Sequence, residues 1–334
     1  MPLVQHNSLP SIDRIAQEGG AVCSPDQCQA DLPSLRIGFL NMMPDKALLA
    51  TERQFLRLLA SHDQLNCYFL PFTTVGIERE DEALQYVQNH YQSFEQIQQG
   101  NLDALIITGA NVTQAVLADE SFWQPLEEVL LWAQANVPST LCSCLATHAA
   151  AKVFYQLDRH HLGAKCWGVF EHQVVSPEHP LVAGVAAQLD MCHSRFNDIS
   201  QQQFAQAGVE TLVQSMDVGV QLASDADMRM VFFQGHPEYD DISLLKEYKR
   251  EIFAYLNQQR DEYPPFPVAY FDAQSQQLLE EYKKTVLAQP RSISLIESFP
   301  DKALSLSVTH PWRQSALQIF HNWLDCIQKQ RKPV

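Results

Sequence analysis

One cysteine in the chain stands where a nucleophile would be made. Cys144 closes the apolar run STLCSC, and the helical pattern LATHAAAKVFYQL begins directly after it. A strand that turns straight into a helix lifts the residue at the turn above the sheet. Such a turn is crowded, and the neighbours at two residues' distance, Cys142 and Ala146, are both small. The thiol would face the amino-terminal end of the helix, whose partial positive charge favours a thiolate. The backbone N–H of Leu145 is placed to receive an oxyanion. The alternative for the same pattern is a buried core thiol.

The groups that such a thiol needs lie in FFQGHPEYD. His236 follows the end of a short apolar run, and Glu238 comes two residues later across Pro237. A carboxylate that accepts from one ring nitrogen fixes the tautomer and leaves the other nitrogen to take the thiol proton. Cys144, His236 and Glu238 therefore read as a triad for acyl chemistry through a covalent thioester. Most of the other seven cysteines sit in apolar runs and read as free thiols. Cys142 and Cys144 are the only tight pair. They lie in an extended segment that does not suit zinc, so no metal is expected.

These groups can meet only if the intervening chain folds them to one edge. LRIGFL, residues 67–70, ALIITGA and STLCSC are continuous apolar runs of strand length, as are residues near 218–222 and 230–234. Between them TERQFLRLLA, with Thr51 as its cap, residues 122–134 and LATHAAAKVFYQL have helical spacing. The pattern predicts an α/β fold, a mostly parallel sheet flanked by helices, with its site beyond the carboxyl ends of the strands. Residues 1–34 read as an irregular N-terminal arm, 35–271 as the catalytic domain, and 272–334 as a C-terminal helical extension packed on it.

A formal charge of −16 over 334 residues argues against nucleic acid or an anionic membrane as a general partner, because both repel it. No apolar run reaches 18 residues, so no membrane-spanning helix is expected. The first twenty residues lack the basic start and apolar core of a signal peptide, which points to the cytoplasm.

Several motifs occur in order between about residues 35 and 271. They are IGFLNMMPDKALLATERQFLRLL, ITGANV, STLCSCLATHAA, KCWGVFEH, CHSRFND, GVQL and QGHPEYDDISLLKEYKRE. Together they resemble the homoserine O-acyltransferase family, also called homoserine trans-succinylases, which share the class I glutamine amidotransferase-like (flavodoxin-like) fold. The resemblance implies a ping-pong reaction in methionine biosynthesis. Cys144 would take an acyl group from acyl-CoA and pass it to homoserine, with His236 moving the protons and Glu238 orienting it. It further implies no permanently bound cofactor, acyl-CoA as co-substrate, and a homodimer.

The resemblance also implies that Lys165 and Ser194 bind substrate and that Arg250 holds the amino acid carboxylate, a use that suits a fork-shaped guanidinium. The plainer alternatives are a solvated lysine, a turn serine, and a helix salt bridge from Arg250 to Glu247. Thr113 occupies the position that sets the acyl donor, usually Gly for succinyl or Glu for acetyl. Thr is neutral and able to donate, so succinyl is favoured and acetyl stays open. Leu145 and His148 replace the family's usual Trp and Gln, and ITGAN replaces ITGAP, which leaves serine open as acceptor. His148, one turn past Cys144, is either pocket wall or a satisfied helix histidine. Lys46 suits an anionic CoA or acyl group, or is a solvated loop lysine. A glutaminase of the amidotransferase type would use the same triad, but no synthetase-like region or phosphate-cradling glycine loop is visible.

Overall fold

The computed structural model describes residues 3–28 and 31–331. Among them, eleven strands form one sheet: β1 (Leu3–Val4), β2 (Val22–Cys23), β3 (Ser34–Leu40), β4 (Asn66–Phe72), β5 (Ala104–Ile107), β6 (Ser139–Ser143), β7 (His160–Val174), β8 (Gln188–Asp198), β9 (Glu210–Ser215), β10 (Gly219–Ser224) and β11 (Met230–Phe233). Their order is β2-β1-β4-β3-β5-β6-β11-β10-β9-β7-β8. Neighbours are parallel from β2 to β11 and antiparallel from β11 to β8.

The unbroken apolar runs have a direct cause. Side chains alternate across a strand, and here both faces are covered. Ile37 and Phe39, Ile106, Leu141, and Val231 and Phe233 enter one core. Leu40, Leu105 and Ile107, Cys142, and Met230 and Phe232 enter the other. With both faces buried, every position stabilises by being apolar, by roughly 2 kcal/mol for a large side chain.

The carboxyl ends of β3, β5, β6 and β11 lie side by side in register, Leu40 opposite Ile107, Ile107 opposite Cys142, and Ser143 opposite Phe233. Chain order reverses about β3, whose neighbours are β4 and β5, so a crevice opens there. The segments that follow these four strands begin at Asn41, Thr108, Cys144 and Gln234.

Two local expectations changed. The helix that includes TERQFLRLLA runs Asp45–Ala60, so Thr51 is buried inside it and Pro44 is the cap. Pro44 presets the entry, and Asp45 sits favourably at the positive end of the helix. The segment read as an irregular arm holds β1, the helix Pro10–Gln17 and β2, and it extends the sheet through Leu3 opposite Cys67. The C-terminal segment contributes to the main core. Trp323 Nε1 donates to Ser139 Oγ at 2.9 Å, Trp312 Nε1 donates to Tyr239 O at 2.9 Å, and both rings are buried.

Candidate active site

Cys144 is the residue between β6 and the helix Leu145–Tyr155, with φ 53° and ψ −109°. This backbone region is costly for a residue with a Cβ, so the surroundings must hold it. Cys144 N–H donates to Phe233 O at 2.7 Å, and the buried Thr147 hydroxyl donates to Cys142 O at 2.8 Å and Phe233 O at 3.0 Å. Ala146 is fully buried. Leu145 is the first helical residue, so its N–H has no acceptor within the helix. On the opposite wall is Gly109, where a side chain would come within 3.6 Å of Cys144 Cβ and 3.9 Å of Leu145 N. Glycine there leaves open the space in which a tetrahedral carbon would form.

His236 Nδ1 meets Glu238 Oε1 at 2.8 Å, and both side chains are buried. Nδ1 therefore carries the proton, and Nε2 is left for the thiol. Nε2 makes no hydrogen bond of ordinary geometry among the described residues. The Cys144 thiol is nonetheless close enough to couple with it. Burial alone would lower the His236 pKa, but the charges of Glu238 and the Cys144 thiolate, with their hydrogen bonds, outweigh it and raise the pKa well above 6.5. The loop is fixed by two bonds to β8, His236 N–H to Cys192 O and Cys192 Sγ to His236 O, each 2.9 Å. Gly235 is required by that closeness, because a Cβ there would lie 2.7 Å from Cys192 O.

Cys144 opens on a cavity of about 780 Å³, walled by residues 110–115, Leu145, His148, Arg159, His161 and Ser194–Asn197. Thr113 lies in the wall, but its hydroxyl donates to Glu120 Oε2 at 3.3 Å. The amides of Thr113 and Gln114 both donate to Glu120 Oε1 at 2.6 Å. Buried Glu120 thus holds the loop and engages the Thr113 hydroxyl. His148 is both pocket wall and satisfied helix residue. Its Nε2 meets Gln234 Oε1 at 3.1 Å, and burial pushes its pKa down to about 3, so it is neutral.

Ser194 and Lys165 meet at one buried carboxylate, Glu247. Ser194 Oγ donates to Oε2 at 2.6 Å and Lys165 Nζ donates to the same oxygen at 3.1 Å, while Tyr239 Oη donates to Oε1 at 2.5 Å. Lys165 also lies 4.2 Å from the centre of the Trp167 ring. Arg250 is elsewhere. It is exposed and lines a second cavity of about 790 Å³ with Lys46, Lys246 and Lys249. The structure therefore brings Cys144, His236, Glu238, Leu145, Thr113, His148 and Ser194 together, reaches Lys165 through Glu247, and leaves Arg250 and Lys46 in a separate cavity. The salt bridge considered between Glu247 and Arg250 is not formed.

Glu247, Tyr239, Glu120, Gly109 and Arg159 were not singled out as site residues from the sequence. Gly109 had a signal, a glycine two residues past a buried strand. Glu120 and Arg159 had none, since each follows an aspartate in a loop segment without a motif.

An α/β sheet that holds a strained thiol against an imidazole, at the edge where its parallel strands end, is suited to acyl transfer through a thioester. Known proteins agree in class and narrow it. The family model for homoserine O-succinyltransferase matches residues 2–334. A protein of Methylobacter tundripaludum named homoserine O-succinyltransferase is 48% identical over 98% of this chain and 93% of its own length. One of the same name from Thioalkalivibrio nitratireducens is 49% identical over 97% of this chain and 92% of its own length. Among solved structures, a glutamine amidotransferase of Methylobacillus flagellatus is 13% identical, with a TM-score of 0.48 over 91% of this chain and 98% of that one. The chain belongs to the homoserine O-succinyltransferase family, and it is an acyltransferase. The family match includes the N-terminal and C-terminal segments, beyond the range 35–271 in which motifs were legible.

Proposed function

We propose that this chain transfers the succinyl group of succinyl-CoA to the hydroxyl of homoserine through a thioester on Cys144. The observation that carries this reading is the coupling of the strained Cys144 thiol to a His236 ring whose other nitrogen is held by Glu238.

In the first half-reaction Cys144 Sγ attacks the thioester carbonyl and its proton passes to His236 Nε2. The oxyanion is received by the N–H of Leu145. As the intermediate collapses, the carbon–sulfur bond to CoA breaks, and the departing thiolate takes the proton from His236. In the second half-reaction the homoserine hydroxyl gives its proton to Nε2 and attacks the acyl-cysteine. Cys144 leaves as thiolate, and O-succinylhomoserine is released. Glu238 keeps the Nδ1 proton in place throughout and stabilises the imidazolium.

Ser194 and Lys165 would bind the acceptor. Ser194 donates to Glu247, so its lone pairs are free to accept from an α-ammonium, and the Glu247 carboxylate beneath supplies the matching charge. Arg250 and Lys46, which line a separate cavity, would take anionic parts of the substrates. A cytoplasmic location, where acyl-CoA is made and used, and a homodimer belong to this reading.

Initial rates with succinyl-CoA and homoserine varied together test it. Parallel double-reciprocal lines, with homoserine preferred over serine, are expected. Intersecting lines would contradict the acyl-enzyme, and ammonia release from glutamine would favour a glutaminase instead.

A further inference from the structure

The cavity above Cys144 contains two guanidinium groups, and they are in opposite situations. Arg195 is fully engaged. It pairs with Asp198 at 2.8 Å, donates from Nε to His193 Nδ1 at 3.2 Å and to Asn197 O at 2.9 Å, and also bonds Val218 O. It is wall. Arg159 makes no hydrogen bond and no ion pair to any described residue, although it is half-buried and lines the same cavity. Burial lowers its pKa, while the charges of Glu120 and the Cys144 thiolate act the other way, which also places the guanidinium near both.

A partly desolvated cation without a hydrogen-bonded partner lowers stability, and the charges of Glu120 and Cys144 offset that only in part. Its backbone, by contrast, is held on both sides. Asp158 O accepts from Gln203 Nε2 at 2.8 Å, and His160 pairs with Asp198 across the β7–β8 hairpin. The fold therefore presents a free guanidinium to the chamber in which the acyl group must lie. Several of the other polar groups there are taken. The Thr113 hydroxyl and the amides of Thr113 and Gln114 go to Glu120, and His161 Nδ1 accepts from Gly163 N–H.

We propose that Arg159 receives the distal carboxylate of a dicarboxylic acyl group while its other end is bonded to Cys144. A guanidinium matches a carboxylate with two parallel N–H bonds. A site with an unmet charge rejects the neutral analogue more strongly than an apolar pocket rejects an added group. Arg159 would thus select a succinyl-type donor over a neutral acyl donor of equal length. The proposal rests on the acyl-thioester reading of Cys144.

The test compares succinyl-CoA with butyryl-CoA, which has the same four-carbon chain and no carboxylate. The ratio of their kcat/KM values is measured for the wild type, Arg159→Gln and Arg159→Lys at saturating homoserine, with adduct mass on Cys144 followed in parallel. Arg159→Gln is expected to reduce the succinyl-over-butyryl preference by about 100-fold, the scale of one charge-assisted contact, and Arg159→Lys to restore part of it. An unchanged ratio in Arg159→Gln, with adduct still forming, overturns the role of Arg159 alone. Wild-type protein that forms no adduct with either donor overturns the underlying reading as well.

Discussion

Tyr239 lies nearly flat on the imidazole of His236, with ring centroids 4.2 Å apart and planes 19° apart, and its hydroxyl donates to buried Glu247. One carboxylate thus ties the proposed base to the two proposed acceptor-binding residues, Lys165 and Ser194. Tyr239→Phe keeps the stack and removes the bond. It should lower kcat about 5- to 10-fold, on the scale of one hydrogen bond, and raise KM for the acceptor, both read in steady-state kinetics. Equal parameters for the two proteins would show that the hydroxyl is not part of the site.

Glu247→Ala removes the shared acceptor of three donors, one of them a largely buried lysine. It should lower the unfolding free energy by about 3 kcal/mol, as expected when one partner of a buried ion pair is deleted. Urea denaturation at neutral pH measures this. The Glu247 pKa is lowered: burial acts upward, but Lys165, Ser194 and Tyr239 prevail. Its stabilisation is therefore complete above the ordinary value of 4.5 and lost as pH falls below it. A midpoint unchanged by the substitution would contradict the buried pair.

The proposed triad predicts the pH dependence of the reaction. In that mechanism His236 acts as base only when neutral, and its pKa is raised above 6.5 chiefly by Glu238 against the opposing effect of burial. Protonation thus removes activity at higher pH than for a free imidazole, and the acid limb of kcat/KM should have its midpoint above 6.5. Glu238→Gln should move that limb to lower pH and reduce kcat about 100-fold. An acid limb that stays in place in Glu238→Gln would mean that another group sets it.

Beneath the catalytic loop a chain of neutral imidazoles is fixed by its partners. Arg195 Nε donates to His193 Nδ1, His193 Nε2 faces His172 Nε2 at 2.9 Å, and His172 Nδ1 donates to Phe170 O at 2.8 Å. Burial pushes the His172 pKa down to about 4. The unfolded chain takes up this proton near 6.5, so stability falls as pH drops from 6.5 toward 4. Between pH 8 and pH 5 the His172 share of that loss is about 2 kcal/mol. His172→Gln, less stable at pH 8, should lose correspondingly less on acidification in urea titrations at the two pH values. A parallel decline in both proteins would refute the neutral chain.

Glu120 and Thr113 separate loop position from direct contact. Thr113→Val should change the KM for succinyl-CoA less than about 3-fold, since the hydroxyl is already bonded to Glu120 and a lost bond of that kind is small. Glu120→Ala frees two amides and should raise that KM about 10-fold with a smaller effect on kcat. The reverse ranking would place the Thr113 hydroxyl on the substrate.

The proposed reactive core of this arrangement was legible because its signals are local. A buried strand passing into a helix at Cys144, and a histidine and a carboxylate two residues apart after another buried strand, each fit within ten residues. The parallel half of the sheet was legible for a similar reason, since burial on both faces leaves unbroken apolar runs. β1 and β2, with two residues each, carry no period at all. β7 is exposed along its first five residues, so its sequence HHLGAKCWGVFEHQV gives no steady strand pattern. Glu120, Glu247 and Arg159 act over 6 to 82 residues of separation or through the absence of a partner. Only the assembled fold shows either.

The central claim is the thioester, and intact-mass spectrometry tests it most directly. Protein mixed briefly with succinyl-CoA and quenched in acid should gain the mass of one succinyl group, lose it on adding homoserine, and gain nothing when Cys144→Ala is used. An adduct that persists in Cys144→Ala, or turnover by the wild type with no adduct at any mixing time, would contradict it.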